Sequence, residues 1–198
     1  MSFKPFLYFV VFSSIFSACA PTNDELFDKA YRLSHKKKYN EAIKIYTEII
    51  SRNSQLQLAY YNRGIDYISQ KSYKLALADF NRVMSLQTIG EGRIIYNQNV
   101  PFADDVVRAQ VPYNDALYQR AIVKFYMDSL KSSFIDFQAL VNDNDAEKSN
   151  CIIWQGTIWV KAGKREKACE YFQKAKQVAN TADQKQEADE MIQTYCQK

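Results

Sequence analysis

The sequence predicts an all-α solenoid, and three observations carry that prediction. Segments 34 residues apart align in register, as Ala30 with Gly64, Tyr39 with Tyr73 and Tyr46 with Phe80. Small residues recur at two fixed places in each segment, and an aromatic follows the second. Each segment holds two apolar stripes at helical spacing, broken by a short polar turn. A fixed period in this range is the signature of stacked helical hairpins. One hairpin cannot bury its own stripe, so the units must stack.

The first unit, 23–56, contains "AYRLSHKKKYNEAIKIYTEI" from Ala30, and the second, 57–90, contains "GIDYISQKSYKLALADFNRV" from Gly64. The third, 114–147, reads "YQRAIVKFYMDSLKSSFIDFQAL", and the fourth, 149–182, reads "IWQGTIWVKAGKREKACEYFQKA". Small residues stand at the eighth place of the units (Ala30, Gly64, Ala121, Gly156) and at the twentieth (Ala42, Ala76, Ser133, Ala168). Helices cross closely only where side chains are small, and an aromatic at the twenty-fourth place fills the space beside the crossing. The tail 183–198, "DQKQEADEMIQTYCQK", is helical and half polar, as a solubilising cap helix should be.

This pattern resembles the tetratricopeptide repeat over about residues 23–182. Departures exist: the usual proline near each unit's end is missing, Lys124 replaces a large apolar residue, and Arg165 replaces an aromatic. The resemblance implies a concave groove lined by the first helix of each unit. Its candidate residues are Phe27, Tyr31, Tyr61, Ile65, Ile68, Tyr118, Ile122, Phe125, Tyr126 and Ile153. An apolar, aromatic groove of this kind suits an extended or helical peptide, with Tyr hydroxyls for hydrogen bonds. Some of these residues equally serve inter-repeat packing, because core and groove share one helical period. One branch of the family clamps a chaperone's C-terminal carboxylates with Lys, Asn and Arg; here only Asn62 matches, so that ligand is not expected.

Between units two and three lie 23 extra residues, 91–113, beginning "EGRIIYNQNVPF". Gly90, Gly92, Pro101 and Pro112 punctuate the stretch, which predicts a non-helical insert. It also carries Ile94, Ile95, Tyr96 and Phe102, too apolar for a free loop, so these residues are expected to be covered. The expectation is that the insert folds back on units two and three near Ile68 or Tyr126.

The N-terminus reads "MSFKPFLYFVVFSSIFSACAPTND". Its apolar run, Phe6 to Ala18, has 13 residues, too few to span a bilayer and suited to the core of a secretory signal. Small residues Ser17 and Ala18 directly precede Cys19, which resembles a bacterial lipobox with Phe16 in place of the usual Leu. The resemblance implies a signal peptide over 1–18, acylation of Cys19, and a lipid-anchored linker over 19–22. Ala20 follows, with no Asp to retain the chain at an inner membrane. The expected address is the outer membrane, with the domain facing the periplasm.

In that compartment disulfides persist. Cys169 falls on the second helix of the last unit and Cys196 on the cap helix beside it, and the ending "ACEYFQKA…YC" looks like that of many bacterial repeat proteins. The favoured bridge is Cys169–Cys196; Cys151–Cys169 with Cys196 free stays open, because three cysteines do not decide their own pairing.

Composition excludes some functions. Apolar residues are 47% and charged residues 24%, a globular balance. The net charge of +4, with both signs mixed, is too weak to argue for nucleic acid, and the run "HKKKY" at 35–39 reads as a solvated turn. The chain has one His, His35, and no two Cys at metal-ligand spacing. No catalytic constellation, metal site or cofactor is expected. The expectation is a non-catalytic scaffold that binds a protein or peptide partner in the cell envelope, with a small-molecule or glycan ligand in the same groove as the alternative.

Overall fold

The computed structural model describes residues 21–87, 111–143 and 148–197. The signal segment, Cys19 and most of the insert, including Ile94, Ile95, Tyr96 and Phe102, lie outside the described residues. The described residues form nine helices and no strand: α1 (Asn23–His35), α2 (Tyr39–Arg52), α3 (Gln57–Ser69), α4 (Tyr73–Gln87), α5 (Tyr113–Tyr126), α6 (Leu130–Asp143), α7 (Lys148–Lys161), α8 (Arg165–Val178) and α9 (Ala182–Cys196). Each packs on the next in chain order, giving four antiparallel hairpins and a final helix.

Local chemistry sets the ends. Thr22 and Glu25 form a reciprocal cap on α1: Thr22 Oγ1 accepts from the Glu25 amide at 3.2 Å, and Glu25 Oε2 accepts from the Thr22 amide at 2.8 Å. Thr181 caps α9 by accepting from the Gln184 amide. Pro112 precedes α5, where a missing amide proton costs nothing. Tyr113, the last residue of the expected insert, is therefore the first residue of α5.

The four turns within hairpins have one design. The amides of Lys38, Ser72, Ser129 and Lys164 reach back to the carbonyls of Leu33, Tyr67, Lys124 and Trp159 at 2.8–2.9 Å. One residue per turn sits in the left-handed region to allow this: Lys37, Lys71, Asp128 and Gly163, with φ of 59°, 59°, 58° and 71°.

The small–aromatic crossing is visible in every unit. Tyr46, Phe80, Phe137 and Phe172 are fully buried, as are Ala30, Ala42, Ala76, Ala121 and Ala168. A Cβ on Gly64 would stand 2.8 Å from the Phe80 ring, and one on Gly156 only 2.4 Å from Phe172. Apolar side chains run unbroken from α4 through α9, and a second cluster joins α1, α2 and the start of α3. Just before α5 the buried Val111 donates its amide to Gln57 Oε1 at 3.1 Å, so the chain rejoins the solenoid against α3.

Candidate functional site

The first helices α1, α3, α5 and α7 lie side by side and carry the expected groove residues. Three of these residues are anchored by one repeated contact. Phe27, Tyr61 and Tyr118 each set their ring against the buried aromatic of their own unit, with centroids 6.0, 5.8 and 5.7 Å apart. Each is half-buried, which leaves an edge exposed. The fourth member of the series differs. Ile153 is only 4% exposed and belongs to the core, so it is not a groove residue. The reason lies beside it: Trp154 takes the outward place.

Trp154 was missed by the sequence reading, yet a signal existed. It stands where the other units carry Asp28, Asn62 and Gln119. Its indole N–H donates to the Tyr118 hydroxyl at 2.9 Å, and its ring stacks on Phe137 and meets Phe125 edge-on. These contacts tie α7 to α5 through side chains.

The remaining residues fall into two groups. Ile65, Ile68 and Ile122 are half-buried and pack against the core between units. Tyr31 and Tyr126 are exposed, at 57% and 44%. Tyr31 meets the His35 ring at 4.3 Å, and Tyr126 stacks on Tyr73 at 5.2 Å. Phe125 lies beneath the Lys161 ammonium, 4.6 Å from its ring centre, and Lys161 also reaches Asp128 at 2.6 Å.

A cleft of about 190 Å³ opens where α3 meets α5, lined by Tyr61, Asn114, Asp115, Tyr118 and Gln119, with Leu140 and Cys151 at its floor. Burial and the Asp115 carboxylate push the Tyr61 hydroxyl up from its ordinary range, against a hydrogen bond with Gln119. The Tyr61 phenol therefore stays protonated and offers a donor beside amide and carboxylate acceptors. Such a surface can hydrogen-bond an extended backbone and cover apolar side chains. Cys151 is buried at the cleft floor, and His35 lies at the far end of the solenoid on α1, so the chain's one imidazole does not meet this thiol. Among the described residues there is no group of three metal-ligating side chains.

Two departures from the repeat pattern have structural uses. Lys124 joins the Arg120–Asp136 pair, with its ammonium 2.6 Å from Asp136 Oδ2. Arg165 donates to the carbonyls of Tyr195 and Gln197 and so grips the end of α9. Cys169 and Cys196 form a disulfide with Cα atoms 5.7 Å apart, and the buried Cys151 takes no part in it.

No family model matches the chain. Solved structures with the same course do exist. MamA 41-end from Desulfovibrio magneticus RS-1 has a TM-score of 0.61 at 16% identity, over 79% of this chain and 75% of that one. A crystal structure of MamA protein gives 0.59 at 13% identity, over 87% and 89%. The TPR-like repeats of a putative kinesin light chain from Podosopora anserina give 0.56 at 8% identity, over 87% and 92%. The fold is that of the tetratricopeptide repeat. Within it the first helices of successive repeats carry Tyr61, Tyr118, Phe125 and Trp154 on one continuous face.

Proposed function

We propose that this chain is a lipid-anchored envelope protein that acts as a non-catalytic scaffold and takes a protein or peptide partner on its aromatic tetratricopeptide-repeat face. The observation that carries the reading is the linked aromatic row Tyr61, Tyr118, Trp154 and Phe125 beside the α3–α5 cleft. Half-buried rings held by fixed contacts lose little freedom on binding, which favours them as anchors for a partner. The phenol, amide and carboxylate groups of the cleft match the donors and acceptors of a peptide backbone. The N-terminal "FSAC" supports acylation at Cys19, and Ala20 supports the outer membrane over the inner.

Recovery of partners from cross-linked envelopes tests the scaffold reading. One stoichiometric protein, lost or weakened in a Tyr61→Phe/Tyr118→Phe variant of unchanged melting temperature, supports it. A defined hit on a sugar array with no protein recovered would favour a glycan-binding module instead. The anchor is tested separately: a Cys19→Ser chain that still fractionates with membranes after normal cleavage would rule out acylation as the anchor.

A further inference from the structure

The turn within each hairpin lies on one long edge of the solenoid, and that edge is strongly basic. The seven residues spanning each turn are 35–41, 69–75, 126–132 and 161–167. Together they hold ten Lys or Arg and three Asp or Glu, a net charge of +7, against +4 for the whole chain. The rest of the chain therefore carries −3. Two of the three acids are already engaged, Glu41 with Lys38 and Asp128 with Lys161. Among the described residues no ion pair holds Lys36, Lys37, Lys71, Lys74 or Lys131, and all five are exposed.

The fold does not ask for these five cations. At each turn the C-terminus of one helix meets the N-terminus of the next, so their end charges offset each other. Lys37 and Lys71 even occupy the left-handed position, where Gly is the unstrained residue and where the fourth unit has Gly163. Lysine is thus kept at two sites against backbone preference. A role for the side chain outside the fold explains this.

The kind of partner follows from the kind of charge. Nine of the ten cations are Lys. Lysine is depleted in protein–protein interfaces, where the planar fork of Arg is preferred, and it suits a diffuse field of negative charge. Neighbouring helices pack about 10 Å apart, so four turns form a row about 30 Å long rather than a pocket. Exposed Leu75 stands on the same edge, a residue type that enters a headgroup layer. We propose that this rim docks on an anionic phospholipid bilayer. The inference does not rest on the groove or on acylation. It has a geometric consequence for both: α1 runs from the opposite edge, where Arg52 holds the Pro21 carbonyl, to His35 on the rim. Thirteen residues of helix separate the two edges by about 20 Å, so a chain held by its N-terminus turns the rim toward a second surface.

Binding of the full chain to phosphatidylcholine vesicles with and without phosphatidylglycerol tests this. The readout is the ratio of the two affinities, which cancels any insertion of the N-terminal segment that ignores lipid charge. A clear preference for anionic vesicles that fades with salt is expected. Lys37→Gly/Lys71→Gly should lower that preference about tenfold or more, since each cation near such a surface matters. Because Gly fits both positions, its melting temperature should hold or rise. Lys29→Gln/Lys174→Gln removes two exposed cations away from the rim and should leave the ratio unchanged. Equal affinity for both vesicles, or an equal loss in the off-rim variant, would overturn the proposal. Tighter binding to soluble polyglutamate than to vesicles would assign the rim to an acidic protein and overturn it as well.

Discussion

Arg63 and Asp79 face each other across the second hairpin in a two-pronged ion pair, Nε to Oδ2 at 2.9 Å and Nη2 to Oδ1 at 2.7 Å. Arg120 and Asp136 repeat it in the third unit at 2.9 and 2.8 Å. Both pairs join residues 16 apart. The Arg63 and Asp79 side chains are 15% and 7% exposed, so each charge depends on the other for its solvation. Asp79→Ala should cost about 3–5 kcal/mol, because it strands a buried guanidinium. Replacing both, as Arg63→Met/Asp79→Leu, should recover most of that loss. Denaturant melts of the three variants check the order; a single variant no worse than the double would show that the pair is not buried in effect.

Among the described residues Asp66 has no such partner. It is 1% exposed, and Ser34 Oγ donates to its Oδ2 at 2.7 Å. Burial pushes its carboxyl up to about 6, with the Ser34 hydrogen bond pulling weakly the other way. The folded value exceeds the unfolded one, so the folded state binds the proton more tightly. The stability this provides is full below about pH 4 and is lost as pH rises through 6. The loss is of order 2–3 kcal/mol by linkage. Asp66→Asn should therefore match the parent at pH 4 and exceed it at pH 7–8 by roughly that amount. Guanidinium melts of both proteins across this window measure the difference; a constant difference at every pH would show that Asp66 does not titrate there.

How legible all this was depended on which contacts follow the repeat. The crossing of small and aromatic residues did, because Gly64 against Phe80 and Gly156 against Phe172 are local to one hairpin and recur in register. Helix order followed from it. The Arg63–Asp79 pair also follows the repeat, since Arg120 and Asp136 hold the same two places of the third unit, but it recurs in only two units and its charges do not announce a buried pairing. Each residue alone looks like a solvated position on its own helix, and a separation of 16 has no helical meaning until the hairpin closes. Ile153 was misplaced for a related reason. The period puts it level with Phe27, Tyr61 and Tyr118, but Ile153 is 4% exposed and its neighbour Trp154 makes the contacts with Tyr118 and Phe125. The positive φ of Lys37 and Lys71 was hidden because lysine does not announce a left-handed turn as glycine does.

Gly156→Ala should be the more damaging of two matched substitutions. The new Cβ would lie 2.4 Å from Phe172 Cε1 and 2.7 Å from Cδ1, against the side of the ring rather than its tip. Overpacking costs about 1–3 kcal/mol, partly offset by about 1 kcal/mol of better helix propensity. At Gly64 the close atom is the tip of Phe80, at 2.8 Å, and a smaller shift relieves it. Thermal melts should rank Gly64→Ala above Gly156→Ala. The reverse order would mean that Phe172 has room the fold does not display.

The disulfide between Cys169 and Cys196 closes a loop of 27 residues around the end of the solenoid. On the chain-entropy model such a loop contributes about 3.5 kcal/mol by restricting the unfolded chain. Inside it, α9 is held by the buried Ala188, by the Phe172–Tyr195 stack and by Arg165 on the last carbonyls. These contacts reach α7 and α8 but not α1 to α4, because each unit touches only its neighbours. Cys169→Ser/Cys196→Ser should therefore fold, but with an uneven loss. Amide exchange should accelerate first in α9, then in α8, while α1 to α4 keep the parent's protection. Trp159 gives a second readout: its ring contacts Phe134 and lies under Lys167 on α8, so its fluorescence should change before that of the whole chain unfolds. A loss of protection spread evenly over all units would show that the solenoid unfolds as one block and that the bridge steadies the whole rather than its last repeat.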